Sequence, residues 1–329
     1  MKHGSGLRIV LAAASLAFGG MAGVAHGAAR EAYPTKPIRL VVPFPPGAAS
    51  DFLARTVGQK LSDGYGQQVV IDNRPGAGGL IGSQIVLKAA ADGYTLAMVG
   101  QPHLSNVLIR EQKAYDPLKD YAPVSMVASI PNVIVLGTGV AAKTVTDLIA
   151  LAKAKPGQLN YGSAGVGSSS HLAGALFVST AGIQVVHVPF KTLPDIFAEM
   201  TAGRVHFYVF PLPAVMPQLK EGRLRALAVA TSKRAVALPE VPTTAESGFP
   251  QYQSDSWFGL VTPAGVPKRI IDKLNADVAN VLKDPDTRER FQRQGAEPVF
   301  GPPEHFQKLQ REEYARLAKL IKDIGMKPL

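Results

Sequence analysis

The 329-residue chain contains no cysteine, so it can form no disulfide, no thiolate nucleophile and no Cys-held zinc or iron–sulfur site. Aromatic residues make up only 7%, and Trp257 is the single tryptophan, too few for a protein that stacks nucleic-acid bases. Basic residues outnumber acidic ones by 35 to 25. They are scattered, however, and form none of the Lys/Arg-rich runs that mark nucleic-acid binding. Beyond residue 25 no stretch is apolar enough to span a bilayer. What remains is 46% hydrophobic, mostly Ala, Val, Leu and Ile, the composition of a globular protein of roughly two domains.

The first segment has the pattern of an export signal. Lys2 and Arg8 precede an uncharged apolar run of 17 residues, Ile9 to Ala25, and small residues follow at Gly27, Ala28 and Ala29. The run is short and rich in Ala and Gly for a transmembrane helix. The expectation is a signal peptide over 1–29 and an exported mature protein with 33 basic against 25 acidic residues.

Short β-branched runs then alternate with helix-length amphipathic segments, which predicts layered α/β structure with parallel strands. Ile38 to Phe44, Gln68 to Asp72 and Tyr94 to Val99 read as strands, separated by helices over Ser50 to Leu61 and Gly79 to Ala91. Two extended pieces, Val124 to Ser129 and Val133 to Gly137, lead into a second series. There the strands are Leu159 to Ser163, Val185 to Val188, Val205 to Phe210 and Leu224 to Thr231, with helices over Thr144 to Ala154, Ser168 to Thr180 and Asp195 to Thr201. A Pro-rich stretch precedes a strand at Trp257 to Thr262, and the end is helical. Two such series joined by extended segments predict two α/β lobes with crossing strands: lobe 1 from 30–131 and 253–329, lobe 2 from 132–252. The cleft between them is the natural ligand site.

Two turns occupy equivalent places, at the carboxyl end of the first strand of each series and the start of the next helix. One runs from Pro43 through Phe44, Gly47, Ala48, Ala49 and Ser50 to Asp51; the other contains Ser163, Ala164, Gly165, Gly167, Ser168, Ser169 and His171. Small residues let a ligand approach the backbone, and the first-turn amides of a helix lack internal partners at its positive dipole end. That combination binds anions without a charged side chain. Either turn alone reads equally as a capped tight turn. Two of them, facing one crevice at strand carboxyl ends, favour a ligand site.

The stretches KPIRLVVPFPPGAASD, VVIDNRPGAGG, ADGYTL, NYGSAGVGSSSHLAG, LPEVPTTAESGFP and WFGLVTPAGVP resemble the Bug-type solute receptors of tripartite tricarboxylate transporters, in order and over nearly the whole mature chain. The resemblance implies a periplasmic two-lobe, Venus-flytrap receptor that holds a small carboxylate through main-chain amides of the two turns. It also implies a monomer that binds no cofactor, metal or nucleic acid and meets membrane subunits transiently. Asp51 is expected to cap its helix. Where related receptors carry small residues after Pro-Phe-Lys, this chain has Thr192, Leu193, Pro194 and Asp195. Lys191, Thr192 and Asp195 are therefore candidate contacts that alter one wall of the pocket, and His206 stands where Asp is frequent.

Gln101 and His103, in the turn after the third strand, are further candidate ligand contacts, with an exposed loop as the alternative for His103. His171 is read either as a neutral donor to ligand or backbone or as a buried, satisfied imidazole. Phe44, Phe190 and Phe210 can line an aromatic slot or pack in the core. Arg74 to Gly79 lacks the Gly-Lys-Ser/Thr ending of a phosphate loop and reads as structural. No G-x-S-x-G and no H-E-x-x-H occurs, which speaks against a hydrolase or metalloenzyme. A ligand-sensing periplasmic partner of a signalling system is the main alternative to transport.

Overall fold

The structure is a computed structural model that describes residues 33–326; the expected signal peptide lies outside them. The first series runs β1 (Ile38–Val42), α1 (Ala49–Tyr65), β2 (Val69–Asn73), α2 (Leu80–Leu87), β3 (Thr95–Gly100) and a short α3 (Pro102–Leu108). Strand β1 lies between β2 and β3, parallel to both. Four of its five side chains are buried, as a continuous apolar run requires when helices cover both faces. The fifth, Arg39, donates from Nε to Asp72 of β2 at 2.8 Å.

A 17-residue strand, β4 (Tyr121–Gly137), leads to the second series: α4 (Val145–Ala154), β5 (Asn160–Ser163), α5 (Ser169–Ala181), β6 (Val186–Pro189), α6 (Leu193–Thr201), β7 (Phe207–Pro211), α7 (Leu212–Lys220) and β8 (Leu224–Val229). The chain then returns through β9 (Asp255–Pro263), α8 (Lys268–Lys283), α9 (Pro285–Arg293), the two-residue β10 (Glu297–Pro298) and α10 (Pro303–Asp323). The strand order is β2-β1-β3-β9-β4-β7-β5-β6. Among the described residues no helix is long and apolar enough to cross a membrane.

Strand β4 joins the halves by changing partner. Tyr121 to Pro131 pair antiparallel with β9, whereas Asn132 to Gly137 pair with β7 and β8. At the change, buried Asn132 donates to Ser254 Oγ at 2.8 Å and accepts from Ser256 Oγ at 3.1 Å, tying the outgoing strand to the returning one. Each half has its own apolar core. One gathers Val41, Val99, Leu104, Trp257 and Phe306; the other gathers Ile134, Tyr161, Phe177 and Phe207. The last helix seals the first half through Phe306, which sits so close over Gly259 that a Cβ there would lie 2.4 Å from its ring.

The two extended pieces expected near Val124 and Val133 are one strand. They join through Ile130 and Pro131 to Asn132, where the strand changes neighbours. Helices α3 and α7 are absent from the sequence reading; α7 contains Pro213 and Pro217, residues that argue against a helix unless one sits in the first turn.

Candidate functional site

The first turn ends at Ala48, which starts α1 in extended conformation with no side-chain cap. This corrects the expected role of Asp51. Its Oδ2 accepts the Gly47 amide at 2.9 Å and Arg55 Nε at 3.0 Å, while Oδ1 accepts Asn73 Nδ2 at 2.9 Å. The same Asn73 amide reaches the Phe44 carbonyl at 3.1 Å. Burial pushes the Asp51 carboxyl up, but the bonds from Arg55, Gly47 and Asn73 outweigh it and hold the group below its usual range. Asp51 therefore shapes the turn from behind. Gly47, with φ of +83°, spends its own N–H on this carboxylate, and Ala48 donates to Pro45 O at 3.2 Å. The next two amides, of Ala49 and Ser50, have no partner in the chain among the described residues.

The second turn reaches the same result without a charge. Ser168 caps α5 by accepting the His171 amide at 3.2 Å. Ser170 Oγ accepts Ala164 N at 3.0 Å, Ser163 Oγ accepts Gly165 N at 3.2 Å, and His171 Nδ1 accepts Gly167 N at 3.0 Å. An Nδ1 that accepts leaves the proton on Nε2, so His171 is the neutral Nε2–H tautomer. Its ring stacks on His187 at 3.9 Å, and His187 Nε2 shares a 2.6 Å hydrogen bond with Ser163 Oγ. Burial lowers His171 to about 4, helped by the charge of His187, and burial likewise lowers His187 to about 4. The amides of Ser169 and Ser170 stay without a partner among the described residues.

Close contacts connect the turns. A Cβ on Gly79 would meet Pro43 at 3.3 Å and the Phe44 ring at 3.5 Å; Gly78 O accepts Asn106 Nδ2 at 2.7 Å. Three residues further on, Ile109 reaches the second turn, where its Cδ1 would lie 2.2 Å from a Cβ on Gly167. The glycine-rich stretch Arg74 to Gly79 is thus packing material between the first turn and α3.

The remaining candidates divide. Gln101 and His103 turn into the first half. Gln101 donates to Glu313 of α10 at 2.9 Å. His103, only 4% exposed, is held by Ser83 at Nδ1 (3.1 Å) with Tyr115 stacked at 5.1 Å and Tyr121 edge-on at 4.6 Å. Burial alone lowers it to about 3. The exposed-loop reading of His103 does not fit, because the turn continues directly into α3 and carries the ring inward. On the second half, exposed Thr192 caps α6, accepting Asp195 N at 3.4 Å and donating to Asp195 Oδ2 at 2.7 Å. Lys191 is exposed beside it, while Phe190 and Phe210 are half-buried on the second-half core. His206 is structural: its Nδ1 accepts Asn160 N at 3.0 Å. Sequence reasoning missed Asn73 and His187, which hold the turns from neighbouring strands, and Arg55, one helical turn beyond Asp51 on α1.

The match to known proteins covers both halves. A family model described as "Tripartite tricarboxylate transporter family receptor" matches residues 53–326. Protein BugT of Bordetella pertussis is 35% identical over 308 residues, covering 93% of this chain and 94% of that protein. The solved structure of R. palustris Rpa4515 with adipate aligns with a TM-score of 0.80 at 38% identity, covering 91% of this chain and 100% of the other. MatC from Rhodopseudomonas palustris with bound malate aligns with a TM-score of 0.75 at 30% identity, covering 88% and 100%. The chain belongs to the tripartite tricarboxylate transporter receptor family, whose two-lobe α/β fold it has.

Proposed function

We propose that this protein captures a small carboxylate in the periplasm and presents it, in a closed form, to the membrane subunits of a tripartite transporter. The observation that carries the reading is the pair of turns, each leaving the first two amides of a long helix without a partner. Four such N–H groups at two dipole ends favour an anion and need no cationic side chain. The residues taken to hold it are Ala49 and Ser50 in the first turn and Ser169 with Ser170 in the second. Gly47, Ala48, Ser163, Ala164, Gly165, Gly167, Ser168 and His171 shape the backbone around them, and Phe44, Phe210, Lys191, Thr192 and Asp195 bound the pocket.

Asn132, where β4 changes partner, is taken as the lobe boundary, with lobe 1 over 30–131 and 253–329 and lobe 2 over 132–252. Contacts made by both lobes at once exist only when the cleft closes, so the ligand shifts the open–closed population. The protein acts by binding and not by catalysis, as a monomer released from a signal peptide. Adipate and malate, bound in the two related structures, support a dicarboxylate as the first ligand to try.

A thermal-shift panel of adipate, malate, citrate, glutamate and benzoate tests the reading. An acid at 100 times its Kd stabilises the folded state by about 2.7 kcal/mol. A panel in which no acid raises the melting temperature, while a neutral amide or sugar does, overturns it. Mass spectrometry of periplasmic protein should find a mature N-terminus between Ala28 and Arg30.

A further inference from the structure

Helix α5, whose start carries the Ser169 and Ser170 amides, is shared by the two apolar cores. Ala173, Phe177 and Ala181 lie in the second-half core, and the Ala173 carbonyl accepts the Tyr252 hydroxyl at 2.9 Å. Leu172, 1% exposed, lies instead in the first-half core with Val107, Ile109, Leu317 and Leu320, and Leu176 one turn on packs against both. The two sets repeat every four residues, so they occupy adjoining faces of one helix. By its place in the chain α5 belongs to lobe 2, yet its Leu172 face is seated on lobe 1.

Ile109, just beyond the end of α3 in lobe 1, completes this seat. It is 2% exposed, and its Cδ1 fills the space beside Gly167, where a Cβ would lie only 2.2 Å away. Gly167 stands two residues before Ser169, and its N–H donates to His171 Nδ1 at 3.0 Å. The second turn is thus held by His171 from its own helix and by Ile109 from the other lobe. The far end of α3 is fixed as well, because Gln101 donates to buried Glu313 of α10 at 2.9 Å and Arg316 Nε donates to the same carboxylate at 2.9 Å. We infer that Ile109 is a positioning residue for the acid: in the closed form its Cδ1 methyl rests on Gly167 and fixes the backbone that leads into the Ser169 and Ser170 amides, while the acid is held by those amides. A contact between lobes is lost when the cleft opens, so this one slows release of the acid and leaves its entry unchanged. The inference rests on the carboxylate-receptor reading and its lobe division.

The test is Ile109→Val in the mature protein, which removes only the methyl that meets Gly167. Its control is Val107→Ala, in the same core but on the opposite side of the helix from Ile109. Adipate and malate are titrated by calorimetry, their association and dissociation followed by stopped flow, and unliganded melting temperatures recorded. Ile109→Val should raise Kd about threefold to tenfold, the range for one methyl lost from a packed contact, through faster dissociation. Val107→Ala should lower the unliganded melting temperature at least as far as Ile109→Val does, yet keep Kd within twofold of the parent's. If the parent binds an acid and Ile109→Val binds it within twofold as tightly, or binds it more weakly only through slower association, the inference is wrong and the receptor reading stands. Equal weakening by both variants also overturns it, because Ile109 then acts only through the stability of the core. If the parent binds no acid, the receptor reading fails and this inference fails with it.

Discussion

The two turns solve one problem with different chemistry. In the first, a buried carboxylate gathers the Gly47 amide, Asn73 and Arg55; in the second, serine hydroxyls and a neutral imidazole gather the Ala164, Gly165 and Gly167 amides. Both leave the next two helix amides free. The difference is electrostatic: Asp51 places a negative charge behind the first anion site, offset by Arg55, while among the described residues the second turn is held by hydroxyls and imidazoles with no carboxylate bonded into it. Binding energy should therefore be weighted toward the second turn, and the two should respond differently to mutation and to pH.

Glycine substitutions give the largest expected contrast. Gly167 and Gly47 both have positive φ, +77° and +83°, but a Cβ at Gly167 would meet Ile109 at 2.2 Å whereas at Gly47 it meets nothing within 4 Å. Gly47→Ala should cost about 1 kcal/mol of stability from backbone strain alone. Gly167→Ala should cost more and should weaken acid binding at least tenfold in calorimetry, with Ile109→Ala restoring part of the loss. Equal effects at both glycines would break the comparison.

Asp51→Ala comes next. It strands the Gly47 amide and one of the two N–H donors of Asn73 Nδ2, which should lower stability by about 2 kcal/mol in urea denaturation. An unchanged unfolding midpoint would mean that the carboxylate does not hold the turn.

Acid should separate the turns more gently. His171 and His187 bind protons less readily folded (about 4) than unfolded (6.5). The unfolded chain takes up protons first, so their contribution is complete above pH 6.5 and is lost as pH falls toward 4. Asp51, held below the ordinary carboxylate range, keeps its bonds through that window. Amide exchange at Gly167, whose N–H depends on unprotonated His171 Nδ1, should accelerate before exchange at Gly47. Simultaneous release would sink this ordering.

The smallest effects belong to the exposed rim. Lys191→Met should reduce affinity no more than about threefold, since an exposed charge contributes little. Asp195→Ala should raise affinity for acids with a second carboxylate by about twofold, by removing a like charge. Calorimetry that ranks Lys191 above Gly167 would instead make a side-chain ion pair the anchor.

The strand and helix starts that frame both turns were legible because Gly, Ser and Ala cluster at the ends of apolar runs, and local patterning is what sequence displays. The groups that hold the turns were not. Asn73 reaches Phe44 from the neighbouring strand and His187 reaches Ser163 from β6, contacts set by sheet register. Gln101 and His103 sat at the right strand end, yet α3 turned them toward Glu313 and the Tyr115–Tyr121 pair, a consequence of a helix whose proline start was read as a turn. The continuity of β4 was hidden as well: Val124 to Ser129 and Val133 to Gly137 read as separate pieces, and the change of partner at Asn132 that makes them one strand is tertiary.

The central claim is that main-chain amides at two helix starts hold the acid, and amide NMR tests it most directly. Titrating the labelled protein with the tightest acid of the panel should shift the N–H resonances of Ala49, Ser50, Ser169 and Ser170 downfield, as charge-assisted hydrogen bonds require. Saturable binding that leaves these four amides unmoved while Lys or Arg side-chain signals shift would contradict it.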